Sequence, residues 1–197
     1  MNINTEHLHY WMEAIRQSPD PIRTLDAFWR GQIQSKEWLI KNLRKHVNQH
    51  VDIDIHGGWV GTLASMLFQS SVPTKNIRSI DIDPTCQPIA TMMNKQEEIV
   101  GKFKAITADM CEVESTADVI INTSFEHITQ DQYETWLSKI PNSSLIVLQS
   151  NNYNIPEHVR IANTLSEFKE QSKLSVIWAG ELKLPKYNRF MIIGKKL

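Results

Sequence analysis

One segment constrains the fold of this chain more than any other: residues 51–83, VDIDIHGGWVGTLASMLFQSSVPTKNIRSIDID. It begins with alternating apolar residues, passes through a glycine-rich turn at residues 56–61 and an amphipathic stretch, and ends in a second apolar run. This order predicts a strand, a tight turn, a helix and a second strand. Together they form one βαβ unit of a nucleotide-binding sheet.

The turn and the end of the second strand carry groups suited to a nucleotide. Glycines let the backbone turn sharply and let a ligand approach it closely. Asp81, at the end of the second strand, can accept hydrogen bonds from both hydroxyls of a ribose. The alternative is a strand-to-helix turn that needs glycine only for its backbone conformation.

The segment resembles the class I S-adenosylmethionine (SAM)-dependent methyltransferases, whose first strand ends in D/E-x-G-x-G-x-G. Gly57 and Gly61 match the outer glycines, Trp59 occupies the middle position, and Asp54 lies one residue from the acidic position. The resemblance implies SAM as the cofactor, with its ribose on Asp81. The implied cofactor contacts are His56, Gly57, Gly58, Trp59, Gly61, Asp81, Ile82, Asp109, Met110, Asn122 and Thr123.

Two later strands extend the resemblance. A strand at residues 103–107 leads to Asp109, at the position where the family often carries an Asp that meets the adenine amino group. The apolar strand 118–122 runs into Glu126-His127, as in small-molecule methyltransferases. Asn122-Thr123-Ser124-Phe125 also lies where methyltransferases of amino groups on nucleic-acid bases or glutamine carry N-P-P-Y/F, but both prolines are missing.

Glu126 and His127 are the candidate catalytic residues. A histidine titrates near neutral pH, so His127 can act as a general base on a hydroxyl or an amine. It can equally be a structural histidine that binds a backbone carbonyl. Thr129 and Gln132 then form a capping box, which predicts that a helix begins directly after these residues.

The predicted fold is an α/β, three-layer, Rossmann-like methyltransferase sheet, mostly parallel, with an antiparallel last strand. Residues 176–182 and 190–193 are two consecutive strands without a crossover helix, so they pair antiparallel if they are neighbours. Residues 1–49 are predicted to form an N-terminal helical cap, with helices capped near Asn4 or Thr5 and at Ser35. Residues 50–197 are predicted to form the SAM-binding domain.

The candidate substrate contacts come from two regions. Trp29 and Lys36 belong to the predicted N-terminal cap. Asn151, Asn152 and Tyr153 belong to a polar segment, residues 149–158, which we expect to be a loop at the carboxyl edge of the sheet. The default alternative for the aromatic residues is packing in the core, and for the polar segment a solvated loop.

Composition limits the function classes. The net charge of −1 does not support nucleic-acid binding, and no apolar run reaches membrane length. Two cysteines are too few for a disulfide framework, which predicts a cytoplasmic protein. His46 and His50 have a metal-binding spacing but no third ligand nearby, so we predict no metal site.

The predicted function is methyl transfer from SAM to an oxygen or nitrogen of a small-molecule acceptor. Three alternatives stay open at this point: a SAM-binding or nucleotide-binding module without transfer activity, an amino-group methyltransferase on a nucleic-acid base or protein side chain, and an NAD-type dehydrogenase. The sequence does not predict an oligomeric state.

Overall fold

A computed structural model of the chain describes residues 5–197. The helices are α1 Thr5–Gln17, α2 Pro21–Asp26, α3 Arg30–Leu43, α4 Thr62–Phe68, α5 Cys86–Met93, α6 Lys95–Ile99, α7 Gln130–Ser138 and α8 Leu165–Ser172. The strands are β1 Val51–His56, β2 Thr74–Asp81, β3 Phe103–Thr107, β4 Val119–Asn122, β5 Leu145–Asn151, β6 Leu174–Lys183 and β7 Asn188–Lys196. The part of the predicted N-terminal cap at Asn4 lies outside the described residues.

The described strands form one seven-stranded sheet in the order β3-β2-β1-β4-β5-β7-β6. Strands β1 to β5 pair in parallel, and β7 lies antiparallel between β5 and β6. The prediction of a mostly parallel sheet with an antiparallel last strand is confirmed. Because β1 pairs with β2 on one side and β4 on the other, the strand order reverses at β1. The carboxyl ends of strands at such a reversal are where α/β sheets bind ligands.

The central strands of the sheet are covered on both faces, which explains why β4 is apolar and buried at successive positions, Val119, Ile120 and Ile121. Ile121 of β4 points into a core shared with α3 and α4, whereas its neighbour Ile120 points into a second core shared with α7 and α8. This alternation follows from the two-residue period of a strand. The first core includes Leu39 and Leu43 of α3, so the third helix is part of the main packing of the sheet.

The other N-terminal helices pack on α5 and on the glycine-rich turn. Ala14 and Ala27 are buried in a third cluster together with Val60 of that turn. Trp11, Phe28, Trp59 and Met92 pack around this cluster. The tryptophan in the middle of the glycine pattern therefore joins the turn to the N-terminal helices. The predicted division of the chain at residue 49 stays a prediction.

Several predicted boundaries are confirmed and three are wrong. The capping box of Thr129 and Gln132 is present at the start of α7. Helix α3 begins at Arg30 rather than after Ser35, whose hydroxyl instead donates to Gln149 Oε1 at 3.0 Å. Asp83-Pro84 has the sequence of a helix start, with Asp at the N-cap and Pro at the first helical position, but helix α5 begins at Cys86.

The third wrong boundary is the end of β5. Residues 149–151, predicted to be loop, continue the strand because each pairs with a residue of β7. Pairing with a neighbouring strand outweighs the weak intrinsic preference of these polar residues against strand conformation. Among residues 5–197, no helix is long and apolar enough to cross a membrane.

Candidate functional site

A cavity of about 880 Å³ lies at the carboxyl ends of β1, β2, β4 and β5. Most residues predicted to form the site contribute to its wall. These are Lys36, Gly57, Gly58, Trp59, Asp81, Ile82, Asp109, Met110, Thr123, Glu126, His127, Asn151 and Tyr153. The volume is within the range of small-molecule and cofactor sites.

The glycine-rich turn requires glycine at position 57. Gly57 has a φ of 67°, and a Cβ there would lie 2.4 Å from Ser124 Oγ. Trp59 also adopts a positive φ, 48°, which is uncommon for a non-glycine residue. The turn therefore packs closely against Ser124, which follows β4, and residues 57–60 line the cavity.

Asp81 fixes this turn to the end of β2. Its Oδ2 accepts a hydrogen bond from the backbone N–H of Trp59 at 2.8 Å, and its Oδ1 accepts one from the backbone N–H of Asp83 at 3.0 Å. An ionised carboxylate has about four lone-pair sites, so Asp81 keeps acceptor capacity for a ligand.

Arg23 joins the same edge of the cavity from α2. Its guanidinium lies 2.6 Å from a carboxylate oxygen of Asp83. Hydrogen bonds from the hydroxyl and the backbone N–H of Thr85, together with Arg23, lower the pKa of Asp83 to about 2. Sequence reasoning missed Arg23, because nothing in the sequence indicates that α2 lies beside the end of β2.

Glu126 is held at the opposite side of the cavity in a buried polar network. It is 3% exposed, and its Oε1 accepts hydrogen bonds from Asn151 Nδ2 at 2.6 Å and from Arg189 at 2.7 Å. Arg189 also donates to the backbone carbonyl of Thr123 at 2.7 Å. Glu126 Oε2 is buried and has no hydrogen-bond partner among the described residues. Arg189, which β7 supplies, was missed from sequence.

Two histidines border Glu126. His127 is exposed, and its Nδ1 lies 3.1 Å from the backbone carbonyl of Glu157. His158 is half-buried, and its Nδ1 lies 2.6 Å from the backbone carbonyl of Tyr153. The two rings are 4.9 Å apart between centroids.

Lys36 is the candidate cation on the α3 side of the cavity. Its Nζ donates to Gln32 Oε1 at 2.9 Å. Burial, with a smaller contribution from the positive charge of Arg189, lowers the pKa of Lys36 to about 7. The side chain therefore changes its charge near neutral pH.

Three predicted cofactor contacts do not line the cavity. The side chain of His56 lies 1% exposed against α7, where its Nδ1 accepts a hydrogen bond from Trp136 Nε1 at 3.0 Å. This burial lowers the pKa of His56 to about 4. Gly61 faces Ala90 and Asn94 of the α5 region, where a Cβ would be 2.7 Å from Asn94 Nδ2. The side chain of Asn122 is buried, and its Oδ1 accepts a hydrogen bond from the backbone N–H of Ser124 at 2.8 Å.

Two predicted substrate contacts also lie outside the wall. Trp29 is 66% exposed, and its indole N–H donates to Asp26 at 2.6 Å. Asn152 binds the backbone N–H of Asn188 at 2.8 Å and so ties the end of β5 to β7. The polar group of each side chain is thus bonded to another residue of the protein, locally for Trp29 and across two strands for Asn152.

The strand order, the inserted antiparallel strand and the glycine-rich turn beside an acidic strand end define the class of fold. It is the Rossmann-like fold of the class I SAM-dependent methyltransferases. Comparison with solved structures agrees with this assignment, whereas no protein-family model and no curated protein sequence matches the chain.

Three solved structures illustrate the similarity. Magnesium protoporphyrin IX methyltransferase (ChlM) from Synechocystis, with bound S-adenosylhomocysteine, has a TM-score of 0.68 at 13% identity, over 98% of this chain and 95% of that one. The N-methyltransferase NodS from Bradyrhizobium japonicum, with the same ligand, has a TM-score of 0.64 at 11% identity, over 95% and 98%. The tRNA methyltransferase TrmK from B. subtilis has a TM-score of 0.61 at 11% identity, over 80% and 65%. At these identities the comparisons establish the fold.

Proposed function

We propose that this protein is a SAM-dependent methyltransferase that acts on an oxygen or nitrogen of a small-molecule acceptor. The observation that carries the proposal is the hydrogen bond from Trp59 N–H to Asp81 in the wall of the cavity. It places a glycine-rich turn and a carboxylate side by side where the strand order reverses, which is the arrangement needed to bind an adenosyl group.

The residues present fit SAM. Asp81 has lone pairs left for the ribose hydroxyls, and Ile82, Asp109 and Met110 line the adjacent wall, where the adenine would lie. Gly57 and Gly58 of the turn also line the cavity, and we place the amino-acid end of SAM beside them. SAM supplies the methyl group and the positive sulfonium centre.

The contribution of the protein to such a transfer is mainly alignment of the acceptor. Glu126, His127 and Tyr153 line the part of the cavity formed by β4 and β5, where we place the acceptor. His127 is exposed enough to exchange a proton with solvent if the acceptor must lose one. Solved neighbours act on small molecules and on tRNA, so the class of acceptor is part of the proposal.

The chemistry of Asn122 disfavours the amino-group alternative. In that alternative the asparagine side chain holds the target NH2 group. Here Asn122 is fully buried, does not line the cavity, and uses its Oδ1 on the backbone N–H of Ser124. The small-molecule proposal therefore has the better support.

Binding and transfer are tested separately. Differential scanning fluorimetry with SAM, S-adenosylhomocysteine, NAD and ATP should raise the melting temperature with the first two ligands only. A shift with NAD alone would contradict the proposal. A single-turnover reaction with methyl-labelled SAM and cell extract then distinguishes an enzyme, which transfers label to an acceptor, from a binding module, which does not.

The cellular compartment is also a proposal. Cys86 and Cys111 are both free thiols, which fits the reducing environment of the cytoplasm. Measurement of both thiols in protein isolated under alkylating conditions would test it, because a disulfide or mixed disulfide in vivo would indicate an oxidising compartment.

A further inference from the structure

At the acceptor side of the cavity, Glu126, His127 and His158 each bring one metal-ligating atom to within 4.8 Å of the other two. The cluster was not predicted from sequence, because His158 lies 31 positions after His127. The backbone brings them together: the N–H groups of Val159 and Arg160 both donate to the carbonyl of Glu126, at 3.0 and 3.1 Å. The loop that carries His158 is thus anchored on the turn that carries the other two residues.

Both imidazoles are set in the form that binds a metal. A backbone carbonyl only accepts hydrogen bonds, so the Nδ1 atoms facing the carbonyls of Glu157 and Tyr153 must carry the protons. In the neutral ring this leaves the lone pair on Nε2. Histidine ligands in metal sites are commonly oriented by just this second hydrogen bond.

The carboxylate of Glu126 likewise has one oxygen held by hydrogen bonds and the other without a partner in the part of the chain that the structure describes. Asn151 and Arg189 both occupy Glu126 Oε1, and Oε2 is buried without a partner. A buried carboxylate oxygen without a partner is costly, and a cation removes that cost. The positive charge of Arg189 opposes a cation nearby, so the affinity must come mainly from direct bonds to Oε2 and the two Nε2 atoms.

We propose that Glu126, His127 and His158 bind a divalent transition-metal cation at the acceptor side of the cavity. Two imidazoles and one carboxylate suit Zn²⁺, Mn²⁺, Fe²⁺ or Co²⁺ better than Mg²⁺, which prefers oxygen ligands. Metal–ligand bonds of about 2.0–2.2 Å place ligand atoms roughly 3–4 Å apart, so a small shift of the side chains completes the site.

Three protein ligands leave coordination positions open towards the cavity. A hydroxyl or carboxylate oxygen of the acceptor can take one of them, and a cation lowers the pKa of a hydroxyl bound to it. With Nε2 on the cation and a proton on Nδ1, His127 has no lone pair left to act as a base, so in the metal-bound protein the cation takes over the activation of the acceptor hydroxyl. This use of the ion depends on the proposed function, whereas the metal site itself does not. The inference therefore favours acceptors that carry an oxygen donor beside the methylated atom.

The test uses full-length protein without a histidine tag, treated with EDTA and then titrated with Co²⁺, whose visible absorption reports nitrogen and oxygen ligation. We expect one tight Co²⁺ per chain. His127→Ala and His158→Ala should each weaken binding by at least about tenfold. The control, His50→Ala, changes an exposed histidine outside the cluster and should bind Co²⁺ as the wild type does.

Two results would overturn the site: no Co²⁺ bound by the wild type, or equal affinity in the wild type and the His127→Ala/His158→Ala double variant. Both histidine variants leave the ion pair of Glu126 with Arg189 intact, so their folding can be verified by thermal unfolding. Calorimetry with S-adenosylhomocysteine in EDTA keeps the two proposals apart. Absence of that binding contradicts the proposed function alone, and absence of Co²⁺ binding by the wild type contradicts the metal site alone.

Discussion

The backbone N–H of Trp59 and the carboxylate of Asp81 are 2.8 Å apart, although 22 positions separate them in the chain. This bond joins the glycine-rich turn after β1 to the end of β2. Because it uses the backbone of Trp59, it does not depend on the indole. The indole instead packs towards the N-terminal helices, so one residue connects three parts of the molecule.

Replacement of Asp81 tests the ribose contact. Asp81→Asn keeps the size of the side chain but removes its charge and one acceptor oxygen. Hydrogen bonds to charged groups contribute about 1.5–3 kcal/mol, so we expect binding of S-adenosylhomocysteine to weaken by roughly 10- to 100-fold in calorimetry.

The control for Asp81 is Asp118→Asn. Asp118 Oδ2 also accepts a backbone hydrogen bond, from Asp52 N–H at 2.9 Å, but Asp118 does not line the cavity. This variant should bind the ligand as the wild type does. Equal affinity of the Asp81 variant and the wild type would exclude the ribose assignment.

Truncation of Trp59 should affect stability more than ligand affinity. The half-buried indole packs around the cluster of Ala14, Ala27 and Val60, so Trp59→Ala should lower the free energy of unfolding by about 1–3 kcal/mol. Its backbone N–H is retained, so the bond to Asp81 can persist. Urea denaturation measures the loss, with Trp29→Ala as the control. Trp29 is 66% exposed, and its truncation should change the stability by no more than about 0.5 kcal/mol.

The buried ion pair of Arg189 with Glu126 should be costly to break from one side. Arg189→Met leaves the charge of Glu126 buried without a cation, and we expect a loss of about 3–5 kcal/mol in the free energy of unfolding. The double variant Arg189→Met/Glu126→Gln should recover part of that loss. Additive effects in this double-mutant cycle would contradict coupling of the pair.

An exposed pair provides the comparison for this cycle. Lys173 and Glu134 are 2.5 Å apart but roughly half-exposed, with side-chain exposures of 52% and 43%. Removal of such a pair by Glu134→Gln should lower the stability far less than Arg189→Met does, because solvent screens the charges. Chemical denaturation of both sets of variants under one condition makes the contrast direct.

Lys36 should make stability depend on pH. Its pKa is about 7 in the folded protein and near 10.4 when unfolded. Below pH 7 the ammonium is present in both states and its desolvation cost is fully felt. As the pH rises above 7, the folded lysine loses its proton while the unfolded one keeps it.

The free energy of unfolding of the wild type should therefore rise relative to Lys36→Met between pH 7 and pH 9, by at most about 1.4 kcal/mol per pH unit. Urea denaturation of both proteins at about four pH values, 6, 7, 8 and 9, measures this difference in the free energy of unfolding. A constant difference across these points would show that Lys36 does not titrate there.

Part of the sheet could be predicted from local sequence, because β4 is an apolar run and β1 ends in a distinctive glycine-rich turn. The residues of β1 and β4 and the glycine-rich turn were located in this way. The end of β5 was not, because Gln149, Ser150 and Asn151 have no local preference for a strand. Their pairing with β7 decides their conformation.

The residues of the candidate site were likewise only partly predictable from the sequence. Asp81 is the last residue of β2, and Asp109 and Glu126 lie in the segments that follow β3 and β4. The carboxyl ends of parallel strands meet at one edge, so all three line the cavity. His56 and Asn122 are also at strand ends, but their side chains are buried away from the cavity. A shift of one residue along a strand reverses the face, and the sequence pattern does not fix where the last residue points.

The sequence by itself determined the order of the strands, the turn that needs Gly57, the acidic residue that ends β2 and the one that comes after β3, because these depend on neighbours a few residues away. Only the tertiary structure decided that Arg189 pairs with Glu126 across 63 positions and that His158 lies beside His127. Such contacts depend on how the chain returns to the same edge of the sheet. That path is set by the packing of the whole core rather than by any local pattern.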